Sequence, residues 1–219
     1  VELKPMHKIK GKTEMWYVVD ADNGARLRSG FAEQVTPDEY EKSIADNTIT
    51  DLLQEYDIHK GDLFFLPAGR IHSIGAGAFI AEIQQTSNIT YRIYDFNRLD
   101  DKGNPRELHT ELSKDAIDYS VLPDYRTAYE ACNDELVPLV SCDYFTTSLL
   151  KLTKPYEMPL DNLDSFVILI CTAGNGTITD SKGNSIEIRP GESLLIPADV
   201  TGLKIETNEK LELLTSWID

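Results

Sequence analysis

Three separated segments of the chain carry side chains that could bind a metal ion and an anionic ligand. Lys12 and Glu14 stand two residues apart, His72 ends a Pro-x-Gly-x-x-His run, and Arg92 follows further along. Carboxylate and imidazole groups are ligands for zinc and other transition metals. A guanidinium binds anionic oxygens through several donors and keeps its charge. These residue types predict a metal site with an anion-binding group beside it.

His72 stands where a chain leaving one strand would turn back into the protein. Pro67 ends a strand because it has no N–H for the ladder, and Gly69 permits a tight turn before His72. This order, with Gly61 before it, is a signature of the cupin fold. The imidazole is therefore expected to point inward as a metal ligand. A buried histidine that makes one hydrogen bond is the alternative, and the residues alone leave both open.

Glu14 opens the first predicted strand, so its carboxylate can face the interior. A carboxylate buried among apolar side chains is costly unless a cation compensates it. Residues two apart lie on the same side of a strand, which places Lys12 beside Glu14. The compensating cation could be a metal ion. Alternatively, Glu14 lies at the strand edge in water or simply pairs with Lys12.

Arg92 and Glu82 are the candidates for binding substrate. A strand is predicted over Thr90–Tyr94, with Arg92 and Tyr94 on one face and Asp95 on the other. An inward guanidinium suits an anionic oxygen. A buried pair between Arg92 and Glu82, with no catalytic role, remains the alternative.

The other histidines are weaker candidates. His59 precedes a Lys-Gly turn and should be exposed, and His109 is expected at the surface or in a helix cap. His7 lies in a charged stretch. Glycine-rich phosphate loops, Ser-His-Asp arrangements and paired-cysteine metal motifs are missing from the sequence.

Composition excludes several classes of function. The 219-residue chain has 21 basic and 37 acidic residues and a net charge of −16, which disfavours nucleic acid and anionic membranes as partners. No apolar run is long enough for a membrane span, and no secretory signal is visible. The three cysteines, Cys132, Cys142 and Cys171, predict reduced thiols in a cytoplasmic protein. The first residue, Val1, indicates a processed chain or a piece of something longer.

Short β-branched and aromatic runs between Gly, Pro, Asn and Asp predict an all-β protein with a few helices. The helices are expected at 37–45, where Thr36 and Glu39 form a capping box, at 49–56 and at 107–119. Residues 60–68 and 190–198 repeat one pattern, in which a Gly-acidic turn leads to an apolar strand ending in Pro-Ala. The repeat predicts two similar β-barrel domains. His72 in the first copy is matched by Gly202 in the second, so function is expected in the first.

The predicted domains are residues 1–121, 122–136 and 137–219. The first is a barrel with the metal and active site and with helical insertions. The second is a linker, and the third is a barrel without metal ligands.

Three motifs in order resemble class I mannose-6-phosphate isomerases of the short bacterial form, a zinc-dependent family of two cupin-type β-barrel or jelly-roll domains. They are Gly-Lys-Thr-Glu-Met-Trp-Tyr at 11–17, Phe-Leu-Pro-Ala-Gly-Arg-Ile-His-Ser-Ile at 65–74, and the run at 82–95 that ends Thr-Tyr-Arg-Ile-Tyr-Asp. The second motif is general among cupins, whereas the first and third are more specific. The resemblance extends from residue 11 to nearly the end of the chain.

The resemblance implies a function and roles for the candidate residues. Mannose 6-phosphate and fructose 6-phosphate would be interconverted through an enediol. Glu14 and His72 would be two ligands of Zn²⁺, Lys12 would open the sugar ring or hold substrate, and Arg92 would be the catalytic arginine. Glu82 would line the same pocket. The acid-base residue is not identified, because Gly11 stands where some longer relatives have a histidine.

The resemblance is incomplete at the amino terminus. The family takes two further zinc ligands from a Gln-Val-His-Pro-like segment upstream, and the first thirteen residues contain none. Impaired turnover is therefore expected. A cupin remnant that binds sugar phosphate without catalysis is the alternative, and an iron cupin is disfavoured because histidines are few. Missing strands would leave an open barrel edge, which predicts a possible homodimer.

Overall fold

The computed structural model describes residues 11–87, 89–96 and 98–218 of the chain. The chain divides into two compact units, the first ending at Arg126 and the second beginning at Thr127. This division falls inside the segment 122–136 that the sequence analysis assigns to the linker. The domain limits 1–121, 122–136 and 137–219 remain a prediction.

The described part of the first unit contains six strands, two α-helices and a short 3₁₀ turn. In chain order they are β1 (Glu14–Ala21), β2 (Arg26–Phe31), α1 (Pro37–Ala45), the 3₁₀ turn Ile49–Leu52, β3 (Leu53–Asp57), β4 (Leu63–Leu66), β5 (His72–Ile74), β6 (Ala78–Gln84) and α2 (Thr110–Ala116). The strands form two antiparallel sheets in the orders β4-β1-β6 and β3-β2-β5.

Strand β1 is central to the first sheet and carries Glu14. Six consecutive residues, from Glu14 to Val19, are buried. Trp16, Val18, Phe64 and Leu66 belong to one apolar cluster, so packing rather than alternation with solvent stabilises this strand. Its register with β6 places Trp16 directly opposite Glu82.

Helix α1 begins where its sequence signals predict. The Thr36 hydroxyl accepts a hydrogen bond from the Glu39 backbone N–H, and the Glu39 carboxylate accepts from the backbone N–H of Thr36. This reciprocal capping box satisfies two backbone donors that the first turn leaves free. Pro37 occupies the start of the helix, where its missing N–H costs nothing.

Up to residue 218, where the description of the chain ends, the second unit has nine strands in two antiparallel sheets. They are β7 (Leu136–Cys142), β8 (Phe145–Leu152), β9 (Tyr156–Pro159), β10 (Val167–Gly174), β11 (Gly176–Asp180), β12 (Ser185–Ile188), β13 (Ser193–Ile196), β14 (Gly202–Glu206) and β15 (Leu211–Trp217). The sheet orders are β13-β10-β15-β8-β7 and β12-β11-β14-β9. With helices confined to α1 and α2 among the described residues, the predicted all-β fold is confirmed.

The internal repeat has the same local structure in both units. Strands β4 and β13 have the same length and lie 130 positions apart, matching the shift seen in the sequence. Gly61 and Gly191 both adopt left-handed φ angles, of 91° and 84°. The Gly61 N–H donates to Val18 and the Gly191 N–H to Cys171, at 2.8 and 2.9 Å. Val18 and Cys171 are therefore equivalent positions of the two units.

Three predicted elements are corrected by the structure. Thr90–Tyr94 is not a strand, so the expected separation of Arg92 and Asp95 onto opposite faces is wrong. The second predicted helix ends early, because Leu53–Asp57 pairs with β2 as a strand. The third is shorter than expected, spanning Thr110–Ala116. For the second helix, pairing with β2 outweighed local propensity.

Candidate functional site

Glu14 is fully buried, and most of its partners are polar. Its Oε2 atom accepts hydrogen bonds from Lys12 Nζ at 3.0 Å and from Trp16 Nε1 at 3.3 Å. Burial raises the pKa of the Glu14 carboxyl, but the neighbouring His72 imidazole and Lys12 ammonium outweigh burial and hold it below its ordinary value. The site therefore contains a carboxylate that stays ionised inside the protein. The alternative of a water-exposed Glu14 is wrong, whereas the pairing with Lys12 is present.

His72 presents one ring nitrogen to Glu14. The other nitrogen, Nδ1, lies 2.8 Å from the backbone carbonyl oxygen of Arg70. Since a carbonyl only accepts, Nδ1 carries a proton, and the neutral ring has its lone pair on Nε2. Nε2 lies 3.3 Å from Glu14 Oε1. A ring nitrogen fixed in this way by a backbone carbonyl is the usual arrangement of metal-binding histidines.

Oε1 of Glu14 and Nε2 of His72 face each other and, when the ring is neutral, are two electron-pair donors. Oε1 is buried, and apart from His72 it has no hydrogen-bond partner among the described residues. A cation between the two atoms, either a proton on Nε2 or a metal ion, offsets their repulsion. Two donors of a tetrahedral zinc ion lie about 3.4 Å apart, from bond lengths near 2.1 Å. The separation of 3.3 Å fits that value.

Glu14 and His72 would supply only part of the ligand set of a zinc ion. The described residues contain no group of three or more His, Cys, Asp or Glu side chains that could hold a metal ion. A catalytic zinc ion ordinarily takes three protein ligands. Glu14 and His72 would therefore need at least one further donor. His7 lies outside the described residues.

Glu82 and Lys12 complete a ring of polar contacts around Glu14. Lys12 Nζ donates to Glu82 Oε1 at 2.8 Å, and Trp16 Nε1 donates to Glu82 Oε2 at 2.9 Å. Partial burial lowers the pKa of Lys12, but Glu82 and Glu14 outweigh it and raise the pKa above its ordinary value. Lys12 is thus a fixed ammonium at neutral pH. The three charged groups sum to −1, which favours an added cation.

Arg92 belongs to a different cluster, centred on buried Asp95. Oδ1 of Asp95 lies 2.6 Å from Arg98, 3.4 Å from Arg106 and 3.7 Å from Nε of Arg92. Arg92 therefore pairs with Asp95 and not with Glu82, whose oxygens are held by Lys12 and Trp16. Three guanidinium groups around one carboxylate carry a net charge of +2. In a chain of net charge −16, this cluster is a local basic region.

Four residues hold the candidates in place, directly or through a neighbour, without having been predicted to do so: Trp16, Arg70, Tyr125 and His109. Trp16 contacts both Glu14 and Glu82. The buried Arg70 supplies the carbonyl that orients His72, and its guanidinium lies 4.6 Å from the centre of the Tyr125 ring.

His109 is the fourth. Its ring atom Nδ1 accepts a hydrogen bond from the backbone N–H of Arg92 at 3.1 Å. The backbone N–H of His109 donates to the backbone carbonyl of Arg92 at 2.8 Å. His109 occupies the cap position of α2, but its side chain makes no cap hydrogen bond there. Sequence spacing gives no sign of these positioning roles, except for Trp16, which is expected to share a strand face with Glu14.

The second unit has neither donor. Because Val18 is equivalent to Cys171, Glu14 is equivalent to Val167, and the two pair with equivalent residues at the ends of β4 and β13. His72 corresponds to Gly202, and both open a strand. Candidate chemistry is thus confined to the first unit within the described chain.

Comparison with known proteins identifies the family that the chain resembles. Residues 136–216, in the second unit, match the family model of the mannose-6-phosphate isomerase cupin domain. The second unit is thus a domain of the cupin class. The chain is 33% identical over 207 residues to a mannose-6-phosphate isomerase of Streptococcus mutans, covering 94% of this chain and 64% of that protein. The predicted resemblance to mannose-6-phosphate isomerases is confirmed, and the chain is a relative of these proteins.

Solved structures show the same fold. The mannose 6-phosphate isomerase of Bacillus subtilis superimposes with a TM-score of 0.81 at 28% identity, covering 94% of this chain and 64% of that one. A zinc-bound mannose 6-phosphate isomerase superimposes with a TM-score of 0.70 at 14% identity, covering 93% and 65%. The chain therefore spans slightly less than two thirds of the length of these relatives.

Proposed function

We propose that this chain is the part of an aldose–ketose isomerase that interconverts mannose 6-phosphate and fructose 6-phosphate through an enediol. The observation that carries the proposal is the facing pair of Glu14 Oε1 and His72 Nε2, 3.3 Å apart, with Oε1 buried and without a further partner among the described residues. The similarity to mannose-6-phosphate isomerases supplies the substrate.

Glu14 and His72 would hold Zn²⁺ as two of its ligands. A zinc ion there would supply a Lewis acid for the oxygens at the first two carbons of the open-chain sugar. The zinc-bound relative supports this choice of metal. Arg70 would keep His72 in the tautomer that leaves Nε2 free for the metal.

Lys12 and Arg92 would act on the substrate as fixed cations. Because the pKa of Lys12 is raised, its ammonium can donate a proton or a hydrogen bond to a sugar oxygen but is a poor base. Arg92, 27% exposed and held by Asp95 and His109, can stabilise negative charge on an oxygen. Glu82 would line the pocket and keep Lys12 in place.

The test is formation of fructose 6-phosphate from mannose 6-phosphate, measured with metal analysis of the same sample. We expect bound zinc and turnover, with both lost in Glu14→Gln. Zinc binding without turnover, together with tight binding of mannose 6-phosphate, would favour the alternative of a non-catalytic binding module. Absence of zinc and of sugar-phosphate binding would refute both.

The setting of the protein is part of the proposal. The three cysteines are unpaired, which supports a reducing, cytoplasmic location. Among the described residues, no helix is both long and apolar enough to cross a membrane. Among the described strands, β4 and β6 are the outer ones of the first sheet, and the edge of β6 supports a homodimer through strand pairing. A single monomer mass by light scattering at high protein concentration would count against the dimer.

A further inference from the structure

Trp16 lies between the two carboxylates of the site. On β1 it shares a face with Glu14, two residues before it, and it is paired directly across to Glu82 on β6. The side chain is 2% exposed and belongs to the apolar cluster of the first unit. Strand register, rather than flexible loops, therefore fixes the indole next to both acids.

The indole N–H is shared by the two carboxylates. It lies 2.9 Å from Glu82 Oε2 and 3.3 Å from Glu14 Oε2. Lys12 bridges the same two residues from the other side, through Glu82 Oε1 and Glu14 Oε2. Both oxygens of Glu82 are thus occupied, whereas Glu14 keeps Oε1 for His72. The hydrogen-bond donors therefore leave one oxygen of Glu14, but none of Glu82, available to His72 or a metal ion.

Trp16 also contacts the imidazole. Its ring centre lies 4.9 Å from that of His72, and the ring planes meet at 89°. This edge-to-face geometry is the preferred arrangement of aromatic pairs. Together with the bond from Nδ1 to Arg70, the contact leaves the imidazole ring little freedom to turn.

We infer that Trp16 is a positioning residue, whose indole N–H holds Glu14 as a one-oxygen donor toward His72 and keeps Glu82 out of that role. The inference rests on the proposed metal site. Without the N–H, Glu14 Oε2 and Glu82 Oε2 would each lose a donor, and the orientation of both carboxylates would depend on Lys12 alone on this side of the site. Loss of such an outer partner typically lowers metal affinity about 10- to 100-fold.

The first experiment measures Zn²⁺ affinity by competition with a chromophoric chelator. Trp16→Phe keeps a ring and removes the N–H, and incorporation of 3-benzothienylalanine at position 16 keeps the bicyclic shape and removes the same donor. Trp217→Phe in the second unit is the matched control. We expect weakening of about 10- to 100-fold in both position-16 variants and none in the control. Unchanged affinity in the benzothienylalanine protein would overturn the inference, because only the N–H is then missing.

The second experiment needs no metal and separates this inference from the proposed function. In ¹⁵N-labelled protein, the Trp217→Phe variant assigns the indole N–H signal of Trp16. We expect that signal to exchange slowly with water and to shift in Glu82→Ala. A Trp16 signal that exchanges as fast as an exposed indole, or that ignores Glu82→Ala, overturns the inference. Wild-type protein that binds no zinc but shows the slow, Glu82-dependent signal would instead refute the metal site alone.

Discussion

Glu14 and His72 belong to different sheets of the first unit, yet 3.3 Å separates Oε1 of one from Nε2 of the other. Glu14 is on β1, in the sheet β4-β1-β6, and His72 opens β5, in the sheet β3-β2-β5. The contact thus closes the gap between two layers of strands. Each donor lies on a strand that is paired with a neighbouring strand, which fixes the backbone at both positions.

His72→Gln is expected to lower zinc affinity by more than about 100-fold, beyond the loss of an outer partner, because it removes a donor atom itself. Stability should also fall modestly, because the imidazole helps to offset the burial of the Glu14 carboxylate. Zinc affinity by chelator competition and urea unfolding are the measurements. His59→Gln, on an exposed turn residue, is the control. Equal zinc affinity in both variants would remove His72 from the site.

Arg92→Lys is expected to reduce turnover about 100- to 1,000-fold, the usual cost of removing one donor to a developing oxyanion. The lysine keeps a positive charge near Asp95 but lacks the planar set of donors. Steady-state kinetics of fructose 6-phosphate formation would show this as a fall in kcat with zinc affinity unchanged. The exposed Arg189 pairs with Glu187, so Arg189→Lys provides the control. A variant as active as that control would contradict the role of Arg92.

Gly30→Ala is expected to destabilise the first unit strongly. Gly30 has φ +71°, and an added Cβ would lie 2.1 Å from the Tyr125 ring, which packs against Arg70. Gly24→Ala is the matched control, since Gly24 has φ +81° but no atom within 4 Å of the added Cβ. Both variants carry the backbone strain of a positive φ. The difference between their losses of unfolding free energy therefore isolates the steric clash, which we expect to cost about 1–3 kcal/mol. Urea unfolding that gives equal losses would contradict this account.

Alkaline pH is expected to destabilise the region around Tyr40 and Tyr119, whose rings lie 6.4 Å apart. Burial is the main cause that raises the pKa of each phenol to about 12. A phenol with a raised pKa keeps its proton more tightly when folded. Its contribution is therefore complete below the unfolded pKa, near 10, and is lost as pH rises toward 12.

The measurement is the free energy of unfolding in urea at several pH values between 9 and 11.5. Tyr40→Phe should reduce the alkaline loss, because one of the two titrating groups is gone. Tyr144→Phe, in the second unit, removes a phenol elsewhere and serves as the control. A pH dependence identical in both variants would show that Tyr40 does not contribute.

Local signals predicted much of the fold. The capping box at Thr36 and Glu39, the positive-φ turns at Gly61 and Gly191, and most strands are determined by residues close in sequence. The strand prediction for Thr90–Tyr94 was wrong, because β-branched and aromatic residues form a strand only where another strand pairs with them. In the structure, contacts of Arg92 hold this segment instead: its guanidinium pairs with Asp95, and its backbone N–H donates to the His109 ring.

The sequence by itself determined which residues could act: an ionisable pair in Lys12 and Glu14, a histidine after a Pro-Gly turn, and a second copy in which that histidine is Gly202. Only the tertiary structure decided which atoms meet. It left Glu14 Oε1 facing His72, gave Glu14 Oε2 and both oxygens of Glu82 to Lys12 and Trp16, and paired Arg92 with Asp95. The physical reason is that register between strands and packing between sheets join residues far apart in the chain, and neither is encoded in local spacing.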